Sequence, residues 1–198
     1  NTAKSLPLST LQCAPDPTSA DVVNVKDYGA KGDGQTDDTK AIQKAVNGAT
    51  GSGGTVLIPA GVYLVNTEES LRLYNNLTLK MAEGVILKAI PNKKDSFNVI
   101  LIKDAENVNI IGGIIEGDRY AHQAQTGEWG MGIHITHSKN IVIENVIAKN
   151  HWGDGFYVNN QSENLKFCGV IADNNRRHGM AVVSAKGRSE EQRLNSSH

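Results

Sequence analysis

Three segments of this chain fall into register. Gly132-Ile133-His134-Ile135, Gly155-Phe156-Tyr157-Val158 and Gly179-Met180-Ala181-Val182 begin at positions 132, 155 and 179, a spacing of 23 and then of 24. Behind the first two stand Lys139-Asn140-Ile141-Val142-Ile143 and Glu163-Asn164-Leu165-Lys166-Phe167, whose asparagines are again 24 apart. Glu106-Asn107-Val108-Asn109-Ile110 is an earlier copy, whose Asn107 precedes Asn140 by 33, the excess being a polar insertion near 117–130. Asn75-Asn76-Leu77-Thr78-Leu79 is a fourth, with Asn76 preceding Asn107 by 31. Short alternating strands at a period in the twenties read as a solenoid. One such unit cannot bury its own apolar face, so each must stack on its neighbours. Asn107, Asn140 and Asn164 then share one column, where their amides can bond up the stack.

The length of 198 residues suits one domain with a substantial core. A net charge of −1 argues against an electrostatic nucleic-acid binder. No apolar run reaches the length of a membrane span, and no secretory h-region is present. The chain begins at Asn1 rather than Met, so a cleaved signal is expected to lie outside the sequence. Cys13 and Cys168 have no metal-like spacing and read as two lone cysteines, Cys168 as a small buried hydrophobe. The redox compartment is not legible from them.

Residues 1–20 read as an extended leader, 21–187 as the solenoid and 188–198 as a polar tail without strand pattern. The solenoid is expected to stop inside its own stack. Val22–Val25 is a strand, Tyr28–Gly34 a glycine-rich turn, and Thr36-Asp37-Asp38-Thr39 supplies helix-capping oxygens. Ala41, Ile42, Ala45 and Val46 recur at helical spacing. This helix is expected to cap the first coil, which otherwise exposes an unpaired edge. Beyond Leu77 only strand-length runs occur.

Val25-Lys26-Asp27-Tyr28-Gly29-Ala30-Lys31-Gly32-Asp33-Gly34, Thr36–Thr39 and Ala41-Ile42-Gln43 closely resemble the entry segment of the pectate-lyase-like superfamily. Gly54–Tyr63 continues the match, and the resemblance covers about residues 22–187. It implies an all-β, right-handed parallel β-helix with an N-terminal capping helix. Members include pectin-degrading hydrolases and lyases, alginate epimerases and phage tailspikes, so fold alone does not fix chemistry. Asp33, Asp37 and Asp38 are read as turn-forming and capping residues.

Stacking the registered coils aligns Trp129-Gly130-Met131, Trp152-Gly153-Asp154 and Arg176-Arg177-His178 ahead of their strands. Side chains alternate along a strand, so Ile133, Ile135, Phe156, Val158, Met180 and Val182 point inward. His134 and Tyr157 then point outward. The expected catalytic residues are Asp154, His178, Arg177 and His134; the expected substrate-binding residues are Tyr157, Trp129, Trp152, Glu128 and Arg119. Trp129, Glu128 and Arg119 lie on or beside the insertion, a loop on a rigid scaffold that suits a binding wall.

Asp154-Gly155-Phe156 and Arg177-His178-Gly179 resemble segments of alginate epimerases that bind a uronate and support proton abstraction at C5. Met131 and Thr136 stand where that family places its acid and base, and His134 replaces an acidic residue. Gly153-Asp154-Gly155 and His178-Gly179 resemble polygalacturonase-type hydrolases, with one member of their Asp pair retained as Asp154. Inverting hydrolysis needs two carboxyl groups, and Glu128 or Asp118 would have to supply the second.

The resemblance implies a secreted or periplasmic enzyme that cleaves an acidic, uronate-containing polysaccharide by hydrolysis or β-elimination. Arg177 would fork onto the carboxylate. The alternatives are a non-catalytic tailspike or adhesin module, trimeric in the tailspike case, and a uronate C5-epimerase. No cofactor is expected, and no acidic cluster has calcium-loop spacing. Which glycan is bound and the oligomeric state are not legible.

Overall fold

The computed structural model describes residues 12–17, 21–49 and 53–192. Most of the expected leader and residues 193–198 of the expected tail lie outside them. The described chain winds as a right-handed parallel β-helix with three faces. The first face stacks Val22–Asn24, Thr55–Ile58, Leu77–Met81, Glu106–Ile111, Lys139–Glu144 and the leading half of Ser162–Asp173. The second stacks Asp33–Asp37, Gly61–Val65, Val85–Ala89, Ile114–Glu116, Ile147–Lys149 and the trailing half of Ser162–Asp173. The third stacks Leu71–Leu73, Ser96–Lys103, Trp129–Thr136, Phe156–Asn159 and Met180–Val182.

Register turns the sequence repeat into columns. Val56, Leu79, Ile110, Ile143 and Phe167 pair in succession on the first face, each without solvent exposure. Ile100, Ile133 and Phe156 form an inner column on the third face, continued by half-buried Met180. Like residues therefore stack on like, and burial of these columns is the main stabilising term.

The asparagine column forms as expected and begins one coil earlier. The side-chain amides of Asn107, Asn140 and Asn164 donate to the oxygens of Asn76, Asn107 and Asn140 at 3.0, 3.1 and 2.6 Å. All four sit at φ between 52° and 58°, a left-handed corner that asparagine tolerates better than most residues.

The helix Thr39–Ala49 lies over the first coil and buries Ile42, Ala45, Val46 and Ala49. Its acidic preface is consumed locally. Asp37 accepts from Thr39 N at 3.0 Å, Asp38 from Lys31 N and Gly32 N, and Asp33 from Gln35 N and Thr36 N. The residues Asp33–Asp37 also open the second face as a short strand, which the glycine-rich sequence did not suggest.

Two expectations are corrected. Cys13 and Cys168 are not lone cysteines but a disulfide, with Cα atoms 6.3 Å apart. Phe167 points into the core, so Cys168 faces outward and is covered by residues 12–17. That segment is also pinned by the buried Glu144 carboxylate, which accepts from Cys13 N and Ala14 N at 2.6 Å each. The second correction concerns the tail. The strand Ala185–Gln192 pairs in parallel with Ser162–Asp173, so the solenoid continues into residues expected to be irregular. Backbone pairing needs no apolar side chain, and the polar sequence hid it.

Candidate functional site

The site lies where successive coils enter the third face. Backbone bonds there run from coil to coil: Gly153 N to Gly130 O, Gly132 N to Asp154 O, Gly155 N to His178 O and Arg177 N to Gly153 O. The repeated glycine follows from this closeness. A Cβ on Gly132 would lie 2.5 Å from Gly155 O and 2.6 Å from the His151 ring. This stacking brings Met131, Asp154 and His178 into one column, as their spacing predicts.

Asp154 is the centre of that column and has no solvent exposure. Its Oδ1 accepts from His178 N at 3.0 Å and lies 3.1 Å from His178 Nδ1. A carboxylate can only accept, so the bond fixes the proton on Nδ1 and leaves Nε2 as the free ring nitrogen. The His178 side chain is 58% exposed. Arg177 Nε lies 3.9 Å from Asp154 Oδ1 and 3.8 Å from Glu128 Oε2, and the guanidinium covers the Trp129 ring at 4.4 Å. Trp129 meets Tyr157 edge-on at 5.9 Å, and Tyr157 meets His134 at 5.0 Å. His134 Nε2 donates to Asn159 Oδ1 at 3.1 Å. Burial lowers the His134 pKa, partly offset by that bond, so the ring favours its neutral form.

Seven of the nine sequence-predicted residues therefore form one contiguous cluster: His178, Arg177, Glu128, Trp129, Tyr157 and His134, with Asp154 buried beneath His178 and Arg177. Trp152 and Arg119 are not part of it. Trp152 is sandwiched between His122, 4.2 Å between ring centroids, and the Arg176 guanidinium at 3.8 Å. It packs the insertion's His122 against the stack. Arg119 turns to the next corner and donates to Asn174 O and Oδ1 at 2.7 and 3.0 Å. Its backbone is fixed there because Arg119 N bonds Asn150 O. Asp118, weighed as a second carboxyl group, is buried, bonded to Asn92 and 2.9 Å from His122 Nδ1.

Sequence reasoning missed Asn159 and His151. Asn159 follows Tyr157 by two and so shares its outward side, a signal that was available. His151 is buried and donates from Nε2 to Ile115 O at 3.0 Å; burial pushes its pKa down to about 4. Among the described residues no group of three or more His, Cys, Asp or Glu is arranged to hold a metal.

The arrangement offers a free imidazole nitrogen oriented by a buried carboxylate, a guanidinium beside it and an aromatic wall. Those are the parts of proton transfer next to a bound anion.

Residues 22–192 match the family described as rhamnogalacturonase A/epimerase, pectate lyase-like. The chain is 33% identical over 155 residues to the uncharacterized protein YclG of Bacillus subtilis (strain 168), covering 69% of this chain and 26% of that one. It is 28% identical over 178 residues to mannuronan C5-epimerase AlgE3 of Azotobacter vinelandii, covering 80% and 10%. The chain thus spans about a quarter or less of these relatives' length. Among solved structures, PfbA, a surface adhesin of Streptococcus pneumoniae, superposes with TM-score 0.65 at 25% identity, covering 81% of this chain and 40% of that one.

Proposed function

We propose a function from one premise: this chain belongs to the rhamnogalacturonase A/epimerase family of pectate lyase-like proteins. It is a module of the carbohydrate-active or carbohydrate-binding kind on a parallel β-helix. The finer reading is cleavage of a uronate-containing glycan by β-elimination. The observation that carries it is the exposed His178 ring held by a fully buried Asp154 beside Arg177.

Arg177 pairs the uronate carboxylate, exchanging its contact with half-exposed Glu128 for one with the sugar. Pairing stabilises the negative charge that develops when the adjacent carbon loses its proton. His178 Nε2 takes that proton, while Asp154 stabilises the imidazolium that forms. Electrons of the broken C–H bond form a C=C bond as the C–O bond to the next sugar breaks. The Tyr157 hydroxyl, with the His134 ring tilted against its own, donates a proton to the departing oxygen. Trp129 and Tyr157 offer ring faces to the sugars.

Elimination is favoured over two-carboxylate hydrolysis because Asp154 has no surface of its own. That leaves Glu128 as the lone exposed carboxylate among the site residues. The Cys13–Cys168 disulfide supports an oxidising, extracytoplasmic setting. The second reading, a binding module without turnover, draws on the likeness to a surface adhesin.

The deciding assay incubates the full chain with a panel of uronate polysaccharides and follows both ultraviolet absorbance of unsaturated product and reducing ends. Absorbance growing with reducing ends is the expected result. Reducing ends without absorbance would mean hydrolysis, and neither signal on any glycan would leave only binding.

A further inference from the structure

The third face carries a second set of groups far from His178. Arg72 pairs with Leu101, Leu101 with His134 and His134 with Tyr157, so the four share one outward column. At about 4.8 Å per strand, Arg72 lies some three steps from Tyr157, about 14 Å along the stack. Around it is a hollow of about 250 Å³ lined by Arg72, Tyr74, Leu101, Lys103 and Asp104. A second hollow of about 290 Å³ shares Arg72 and Tyr74 and continues over the capping helix, where Lys40 and Lys44 line it. Arg72, Lys103, Lys40 and Lys44 are exposed, and none makes an ion pair among the described residues. Asp104 and Glu69 are the acids facing this trough, so cations outnumber anions there.

Arg72 is also pre-positioned. Leu71–Leu73 is the edge strand of the third face, and Gln43 clasps it: Arg72 N donates to Gln43 Oε1 at 2.8 Å, and Gln43 Nε2 donates to Arg72 O at 3.0 Å. The clasp covers the strand edge through the Arg72 backbone, and among the described residues no ion pair engages the guanidinium. Tyr74, 43% exposed, presents a ring beside it.

We propose that this trough is a remote anion subsite, which binds charged sugars of the same glycan chain several units from the one held by Arg177. The inference rests on the acidic-glycan reading above and adds a direction to it: the polymer runs along the stack, from Arg177 toward the capping helix. A carboxylated and a sulfated sugar present the same charge to Arg72 and Lys103, so both are tested.

The experiment measures binding of size-defined uronate oligosaccharides, three and eight units long, to the full chain and to its Arg72→Glu/Lys103→Glu variant by calorimetry. A sulfated octamer is run in parallel. The expected result is that charge reversal weakens binding of the uronate octamer about tenfold, leaves the trimer unchanged and flattens the salt dependence. A larger loss for the sulfated octamer would assign the trough to sulfate esters rather than carboxylates. Equal octamer affinity in parent and variant overturns the subsite while leaving the proposed function standing. If the parent binds no acidic oligosaccharide of either kind, both fall together. Arg72→Gln, which keeps an uncharged polar side chain there, must lie between parent and reversal; circular dichroism confirms that each variant is folded.

Discussion

His178 and Asp154 are joined by a 3.1 Å contact between an exposed ring and a carboxylate with no exposure at all. One residue is open to a ligand and the other is not. In the proposed elimination that division gives Asp154 orientation and charge, and His178 proton transfer.

Replacing Asp154 by Asn removes the charge that holds the Nδ1 proton and lets an amide N–H compete for the ring. Turnover in the elimination assay should fall about a hundredfold or more, with the melting temperature within a few degrees of the parent. Undiminished turnover would take Asp154 out of the mechanism.

Asn140 donates to Asn107 and accepts from Asn164, at φ 57°. Asn140→Ala loses both bonds and strains the backbone, and about 2–3 kcal/mol of stability should go with it. Asn140→Gly relieves only the strain and should recover part of the loss. Denaturant titrations compare the two. Equal costs would mean that the corner conformation contributes nothing.

Cys13 and Cys168 are separated by 155 residues in the chain. A cross-link over so long a loop is worth about 2–5 kcal/mol, chiefly by restricting the unfolded chain. Melting of the full chain with and without reductant, and of the double Cys→Ala variant, should show that loss. Superimposable melts would argue that the covalent link carries no stability.

His151 is buried and neutral, with its pKa pushed from 6.5 to about 4. Its folded value lies below its unfolded one, so its stabilisation is full above pH 6.5 and is lost as pH falls toward 4. Lowered His134 acts in the same direction. Asp33, held at about 2 by Thr36 and Gln35 amides, loses its contribution only at more acidic pH. Stability measured from pH 7 to 4 should slope downward by a few kcal/mol, and His151→Gln should flatten that slope. A parent curve level over the range would contradict the buried, neutral ring.

Much of the fold and of the site was readable in the chain itself. The glycines at 132, 155 and 179 set which residues share a column, and alternation set which side faces out. Asp154 meeting His178 followed from those two facts. Trp152 and Arg119 were misplaced because their directions depend on the insertion between Gly117 and Gly130, which obeys no period. The disulfide was hidden for a related reason. Its partner Cys13 lies in a segment outside the repeat, and alternation alone shows Cys168 facing outward without saying what covers it.

Residues 12 and 14–17 line a hollow together with Lys80, Ile111 and Glu144, Glu144 accepts from Cys13 N and Ala14 N, and Cys13 is bonded to Cys168. Those four positions belong to four consecutive strands of the first face. An ordinary stacked array can fray one turn at a time from either extremity. Here the Cys13–Cys168 bond encloses the intervening coils in one covalent loop, so tension on the amino-terminal side passes directly to Cys168 and leaves them unloaded until the bond is reduced.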